Sequence, residues 1–351
     1  MLDGKVDAVV VANGSDTMLD HNFKYFVNAK SGIFEGSIAI LKPSGVDVLT
    51  TPLETEALGG TEVSVSVWKN MEELKGLLKK KLSRIKRVGY NGSAINWSMY
   101  SFVRKQFNGK MVDCSSELRK CRAVKDKEEI RNIKEACRIV STAADMIPTL
   151  LKEGMTEREL AKQLTIAMYN EGGDGNSFSP IVSFGKTSAI PHYSPGAVKL
   201  RKGHFVLTDF GCRYASYCSD LTRTCFFGSA NGRQKEMYET VLQAQTEAIE
   251  SIRAGAVEED VDAVARKVID GSRFKGRFIH SLGHGLGLQV HDGDPALSRG
   301  RKNKLEEGMV VTVEPGVYVP GFGGVRIEDD VVVTSRGARV LTTARKELIE
   351  V

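Results

Sequence analysis

Nothing in this sequence is apolar for long enough to cross a bilayer: the run from Ala8 to Ala12 stops far short of the ~20 residues a spanning helix needs. No basic segment leads into it as a secretory leader would require, so the expectation is a cytoplasmic protein with no membrane partner. Cysteine pairing is missing too. The six cysteines (Cys114, Cys121, Cys137, Cys212, Cys218 and Cys225) form no CxxC pair, and a chain of 351 residues can bury a core without disulfide staples. Cys212, Cys218 and Cys225 therefore read as small buried hydrophobes on strands rather than as thiolate ligands. Charge of one sign is scarce as well: 49 basic and 44 acidic residues leave +5, spread over both halves, which argues against nucleic acid as a partner. The densest basic run, Lys79 to Arg87, carries Leu77, Leu78, Leu82 and Ile85 at helical spacing, the pattern of a solvated helix end. The chain shows neither an internal repeat nor a low-complexity tract.

What is present is enough sequence for two hydrophobic cores. Up to residue 118 short apolar runs at 7–12, 36–41 and 47–50 read as strands and 71–86 as a helix, an α/β pattern. A highly charged stretch, 118–140, places Ile130, Ile133, Ala136 and Cys137 on one helical face. The domain boundary is set just before it, giving domains 1–118 and 119–351. Beyond it lie a helix at 156–171, with Thr156 and Glu159 as a capping box, strands over 178–228, helices over 233–271, and strands with Gly-rich turns over 278–341.

Two apolar strands each carry one aspartate, Asp209 in Thr-Asp-Phe-Gly and Asp220 in Ser-Asp-Leu-Thr-Arg-Thr. A hairpin turning near Tyr214 and Ala215 sets them opposite each other, an unfavourable pairing unless a cation lies between. On this pair alone the ordinary alternative stays open: one aspartate at a turn, the other on a solvated face. Downstream, His280, His284 and His291 crowd among glycines in His-Ser-Leu-Gly-His-Gly-Leu-Gly-Leu-Gln-Val-His-Asp, which matches neither phosphate-loop pattern. Imidazoles beside paired carboxylates point to a metal. Glu314, in Thr-Val-Glu-Pro-Gly, and Glu328, in Gly-Val-Arg-Ile-Glu-Asp-Asp, interrupt apolar strands where lone charges are seldom buried. Alternation over 325–331 puts Arg326 beside Glu328, and the same rule makes Thr222 and Thr312 donors near Asp220 and Glu314. Four carboxylates and one imidazole carry too much negative charge for one divalent ion, so two are expected.

Taken in order, these motifs, with Pro191-His192-Tyr193 upstream, resemble the pita-bread metallopeptidases, the prolidase and aminopeptidase P group. The resemblance implies an α/β creatinase-like domain over 1–118 and an α+β pita-bread catalytic domain over 119–351, with homodimer formation. It implies that Asp209 binds one metal, that Asp220 and Glu328 bridge two, and that His284 and Glu314 complete the other, the ions being Mn, Co, Fe or Zn. His192 and His291 would face the substrate, Phe178 and Val290 would line a proline pocket, His280 would support the ligands, and Arg326 would hold Glu328 or an oxyanion. Glu314 would also carry the proton. The implied substrate is a small Xaa-Pro peptide, cut as a dipeptide or, in the aminopeptidase P alternative, as a longer peptide; a third alternative is a non-enzymatic binding protein of the same fold. The sequence departs from the commoner dipeptidase pattern after His291, where Arg299 replaces the usual cation only if its loop folds back.

Overall fold

The computed structural model describes residues 4–15 and 19–351; Met1, Leu2 and Asp3, the first residues of the expected N-terminal domain, lie outside them. The chain divides into two compact units, Met1–Cys121 and Arg122–Val351.

The first unit is built on a six-stranded sheet. Its elements are β1 (Ala8–Ala12), α1 (His21–Val27), β2 (Ile38–Lys42), β3 (Gly45–Thr50), β4 (Ser64–Val67), α2 (Met71–Leu82), β5 (Arg87–Tyr90), α3 (Trp97–Gln106) and β6 (Lys110–Asp113). They order as β4-β3-β2-β1-β5-β6, with β1, β5 and β6 parallel. The continuous run Ala-Val-Val-Val-Ala in β1 follows from burial on both faces: Val9 and Val11 meet Phe23 and Val27, whereas Ala8 and Val10 meet Leu74 and Leu78. Helix α2 is shorter than the expected 71–86, because the backbone N–H groups of Lys86 and Arg87 donate to the Asp7 carboxylate and start the next strand.

The charged stretch 118–140 is two helices, α4 (Ser115–Ala123) and α5 (Lys127–Asp145). Asp126 and Glu129 form a capping box that restarts the helix, while Val124 turns aside to bridge Met309. Leu118 on α4 is buried in the core of the first unit, which is why that unit runs on to Cys121.

The second unit continues with α6 (Ile147–Leu150), α7 (Glu157–Asn170), β7 (Gly175–Asn176), β8 (Ile181–Phe184), β9 (His204–Phe210), β10 (Cys212–Tyr214), β11 (Tyr217–Cys218) and β12 (Leu221–Phe227). Next come α8 (Gly232–Ser251), α9 (Glu258–Asp270), β13 (Gly283–His284), β14 (Ala296–Leu297), β15 (Val310–Val313), β16 (Gly316–Val319), β17 (Gly323–Arg326), β18 (Asp329–Val333) and β19 (Ala338–Val340). Antiparallel ladders β12-β9-β8 and β15-β18-β19 form its centre. Alternation along β9 sends Val206 and Phe210 toward α5 and α7, and Phe205 toward α8 and α9, so helix pairs cover both faces. Thr156 and Glu159 make the expected capping box on α7. Among the described residues no helix is long and apolar enough to cross a membrane.

Candidate active site

Five strand ends deliver the predicted ligands to one cavity. Asp209 is the penultimate residue of β9, Asp220 immediately precedes β12, His284 closes β13, Glu314 follows β15, and Glu328 lies between β17 and β18. All five line a cavity of about 330 Å³. Ligand atoms of Asp220, His284 and Glu328 lie within 4.8 Å of one another, and His284 Nε2 stands 3.5 Å from Glu314 Oε1 and 3.6 Å from Asp220 Oδ2.

The aspartates are neighbours, but not directly opposed. In the β9–β12 ladder Asp209 faces Thr222. The reversal falls at Ala215 and Ser216, with φ of 46° and 76°, one residue later than the expected turn. A one-residue shift of the turn moves the pairing by two, so Asp220 sits diagonal to Asp209 on the same face. Arg326 also departs from expectation. It donates to Asp209 Oδ2 at 2.5 Å, to the Tyr318 hydroxyl at 2.7 Å and to Thr222 Oγ1 at 3.0 Å, rather than to Glu328. Strand β17 ends at Arg326, and Glu328 takes its hydrogen bond from Thr222 Oγ1 at 2.6 Å. Thr312 donates to Glu314 Oε1 and accepts the His284 backbone N–H, the support role its spacing predicted.

The electrostatics have a deficit of positive charge. Asp209, Asp220, Glu314 and Glu328 share the cavity, and among the described residues Arg326 is the one lysine or arginine in its lining. Burial and the neighbouring charges of Glu328 and Asp209 raise Asp220 well above the usual carboxylate range, and burial with Glu314 and Asp209 does the same to Glu328. Burial pushes Glu314 up to about 8. Oδ1 atoms of Asp209 and Asp220 are buried with no hydrogen-bond partner among the described residues, a costly state for a carboxylate oxygen. His284 completes the case. Its Nδ1–H donates to the Gly285 carbonyl at 3.3 Å, and burial pushes its pKa down to about 3, so the Nε2 lone pair faces two carboxylates. The hard oxygens of Asp220 and Glu328 with the neutral imidazole of His284, all within 4.8 Å, are a donor set suited to a divalent cation.

The other predicted residues surround this cluster. His192 and His291 line the cavity, and the His291 ring centre is 4.0 Å from that of His284. Phe178 and Val290 line it with Ile181 and Pro191, an apolar wall. His280 is engaged at both nitrogens, donating from Nδ1 to Ser281 O and accepting at Nε2 from the Tyr318 hydroxyl. Arg299 does not fold back: it lines a separate depression with Asp262 and Arg266 on α9.

Several supporting residues escaped the sequence reading. Asp330 accepts the Asp220 backbone N–H at 2.9 Å, Tyr318 joins Arg326 to His280, and Arg122 on α4 makes two hydrogen bonds to Asp292, the buried neighbour of His291. The acidic Glu-Asp-Asp run was a visible signal for Asp330. Tyr318 and Arg122 had none, since neither lies in a motif.

Residues 131–335 match the model of metallopeptidase family M24, and residues 1–124 match the creatinase/prolidase N-terminal domain. The Xaa-Pro dipeptidase of Pyrococcus horikoshii is 35% identical over 98% of this chain and 95% of its own, and a putative dipeptidase of Bacillus subtilis is 40% identical over 79% and 77%. Among solved structures, an X-Pro aminopeptidase from Thermotoga maritima superposes with a TM-score of 0.91 at 32% identity, covering 99% of this chain and 98% of that one. A prolidase from Pyrococcus horikoshii gives 0.90 at 33%, covering 99% and 96%.

Proposed function

We infer the reaction from one premise: this chain belongs to metallopeptidase family M24, with a creatinase/prolidase N-terminal domain before the catalytic one. It is a metal-dependent hydrolase of the Xaa-Pro peptide bond, with dipeptides as the substrate. The observation that carries the reading is the convergence of Asp220, His284 and Glu328 within 4.8 Å, beside an arginine already committed to Asp209. Asp209, Asp220, His284, Glu314 and Glu328 hold two divalent ions, of Mn, Co, Fe or Zn, since oxygen-rich sites accept each of these. Bound there, the ions supply Lewis acidity, easing ionisation of the attacking water and stabilising charge on the scissile carbonyl oxygen.

The remaining work falls to side chains. Glu314 takes the proton of the attacking water on a carboxylate oxygen and returns it to the departing proline nitrogen, a role open to a carboxylate that lines the cavity beside the other ligands. His192 and His291 donate to the carbonyl oxygen as it gains charge. Arg326 fixes Asp209, and Phe178 and Val290 pack on the proline ring. Cys114, Cys137, Cys212, Cys218 and Cys225 are buried and unbridged, and a cytoplasmic location belongs to this reading. A homodimer is part of the same reading, and sedimentation at micromolar concentration tests it.

The deciding experiment measures hydrolysis of Met-Pro and of a longer Xaa-Pro peptide, with metal analysis, before and after chelation. Chelator-sensitive cleavage of Met-Pro with two ions per chain is expected. Cleavage of the longer peptide alone moves the assignment to aminopeptidase P, and fewer than one ion per chain after anaerobic loading rejects the metal pair.

A further inference from the structure

His192 is exposed and lies on an extended strap, residues 190–199, that has no regular secondary structure of its own. What holds the strap is the first turn of α7. Backbone N–H groups of Glu157 and Arg158 donate to Val198 O and Gly196 O, Arg158 Nε donates to Pro195 O, and Thr156 bridges Lys199. The centre of this clamp is the Glu157 side chain, which is fully buried at 0% exposure. Its Oε1 accepts Phe184 N–H at 2.9 Å and Thr187 Oγ1 at 2.7 Å; its Oε2 accepts the Tyr193 hydroxyl at 2.9 Å and Gly196 N–H at 2.9 Å.

Four donors and no ion-pair partner among the described residues make an unusual environment for a buried carboxylate. Each donor comes from the segment 184–196, which leads into the strap or forms part of it. The Tyr193 bond is the decisive one, because Tyr193 is covalently next to His192, and pinning its ring fixes the backbone from which His192 reaches the cavity. Space is tight there: a Cβ on Gly196 would stand 3.0 Å from the Tyr193 hydroxyl oxygen and 3.2 Å from Glu157 Oε2.

We propose that Glu157, acting through Tyr193, is a positioning residue that sets His192 against the scissile carbonyl. The inference rests on the peptidase reading, in which His192 faces substrate. A hydrogen bond from a phenol to a buried carboxylate is of the charge-assisted kind, and its loss lets the strap sample positions from which His192 does not reach.

The test is a double-variant cycle on the metal-loaded, full-length enzyme. Tyr193→Phe removes one hydroxyl that faces away from the chemistry, and kcat/KM for Met-Pro is expected to fall about tenfold at unchanged metal content. In a His192→Ala background the same substitution should change kcat/KM by no more than about twofold, because the residue through which it acts is gone. An equal loss in both backgrounds, or wild-type kinetics for Tyr193→Phe, overturns the proposal. Hydrogen exchange on metal-free protein gives a readout independent of turnover. Glu157→Gln is expected to speed exchange of the strap amides, Gly196 above all, by about tenfold or more. Unchanged exchange there overturns the clamp even if the protein cleaves no Xaa-Pro peptide, an outcome that instead rejects the peptidase reading.

Discussion

Glu328 and Asp329 are adjacent in sequence, equally buried at 1% and 0% exposure, and opposite in their surroundings. Asp329 faces away from the cavity into a complete shell: Arg223 Nη2 at 2.8 Å and Thr342 Oγ1 at 2.7 Å on one oxygen, Gln245 Nε2 at 2.7 Å and Lys346 Nζ at 2.9 Å on the other. Burial works against its charge, yet Arg223 and Lys346 hold its carboxyl below the usual range. Glu328 faces the cavity, receives Thr222, and meets mainly further carboxylates; burial and the charges of Glu314 and Asp209 push it well above. The same backbone thus supplies cations to one buried carboxylate and withholds them from its neighbour. The contrast teaches that the deficit of positive charge around Glu328 is local and specific to the cavity side of the strand.

The comparison breaks most visibly at Glu314. Glu314→Gln should fold normally and lose about 10²- to 10⁴-fold in kcat/KM for Met-Pro, and near-normal turnover would remove it from proton transfer. On the satisfied side, Arg223→Met leaves Asp329 partly unpaired and should cost about 3–5 kcal/mol in urea unfolding, by the same amount with or without metal. On the starved side, divalent metal at a hundredfold excess over its dissociation constant should stabilise the wild type by about 2.7 kcal/mol for each ion bound, and Asp220→Asn should abolish that gain.

Stability against pH sharpens the same contrast. Burial raises Glu314 and Asp330 to about 8 in the folded, metal-free chain, while the unfolded chain releases those protons near pH 4. Between these values the folded state holds more protons, so metal-free stability should rise as pH falls from 8 toward 5, by up to about 1.4 kcal/mol per pH unit per carboxyl. Bound metal should flatten that slope. The smallest effect expected is a gain of about 1 kcal/mol in the metal-free stability of Asp220→Asn, which removes a carboxyl that must take up a proton to be buried among its neighbours; a loss instead would argue that the cluster is not strained.

Much of the site was legible before the fold. Asp209, Asp220, His284, Glu314 and Glu328 announced themselves as charges or imidazoles inside apolar, glycine-rich strands, where burial without a partner is costly. The register of the first two was not. A two-residue reversal at Ala215 and Ser216 has no Asn-Gly or Asp-Gly signal, so its place, and with it the diagonal relation of the aspartates, depends on how the whole β9–β12 ladder pairs. Glu157 was hidden by its neighbour: Thr156 and Glu159 account for the helix start, and nothing local marks the residue between them as the holder of four remote donors.

The sequence by itself determined the kind of chemistry, because ligand atoms of a given hardness and charge have few other uses when set into buried strands. It also determined the order of the two domains and most of their helices, since periodicity and caps act within a few residues. Only the tertiary structure decided which carboxylate is neutralised and which is left wanting. The cations of Asp329 come from β12 and from the segment after β19, and the arginine that serves Asp209 comes from β17. Charges interact through space, with a strength set by distance and burial, and neither quantity exists until the chain has folded.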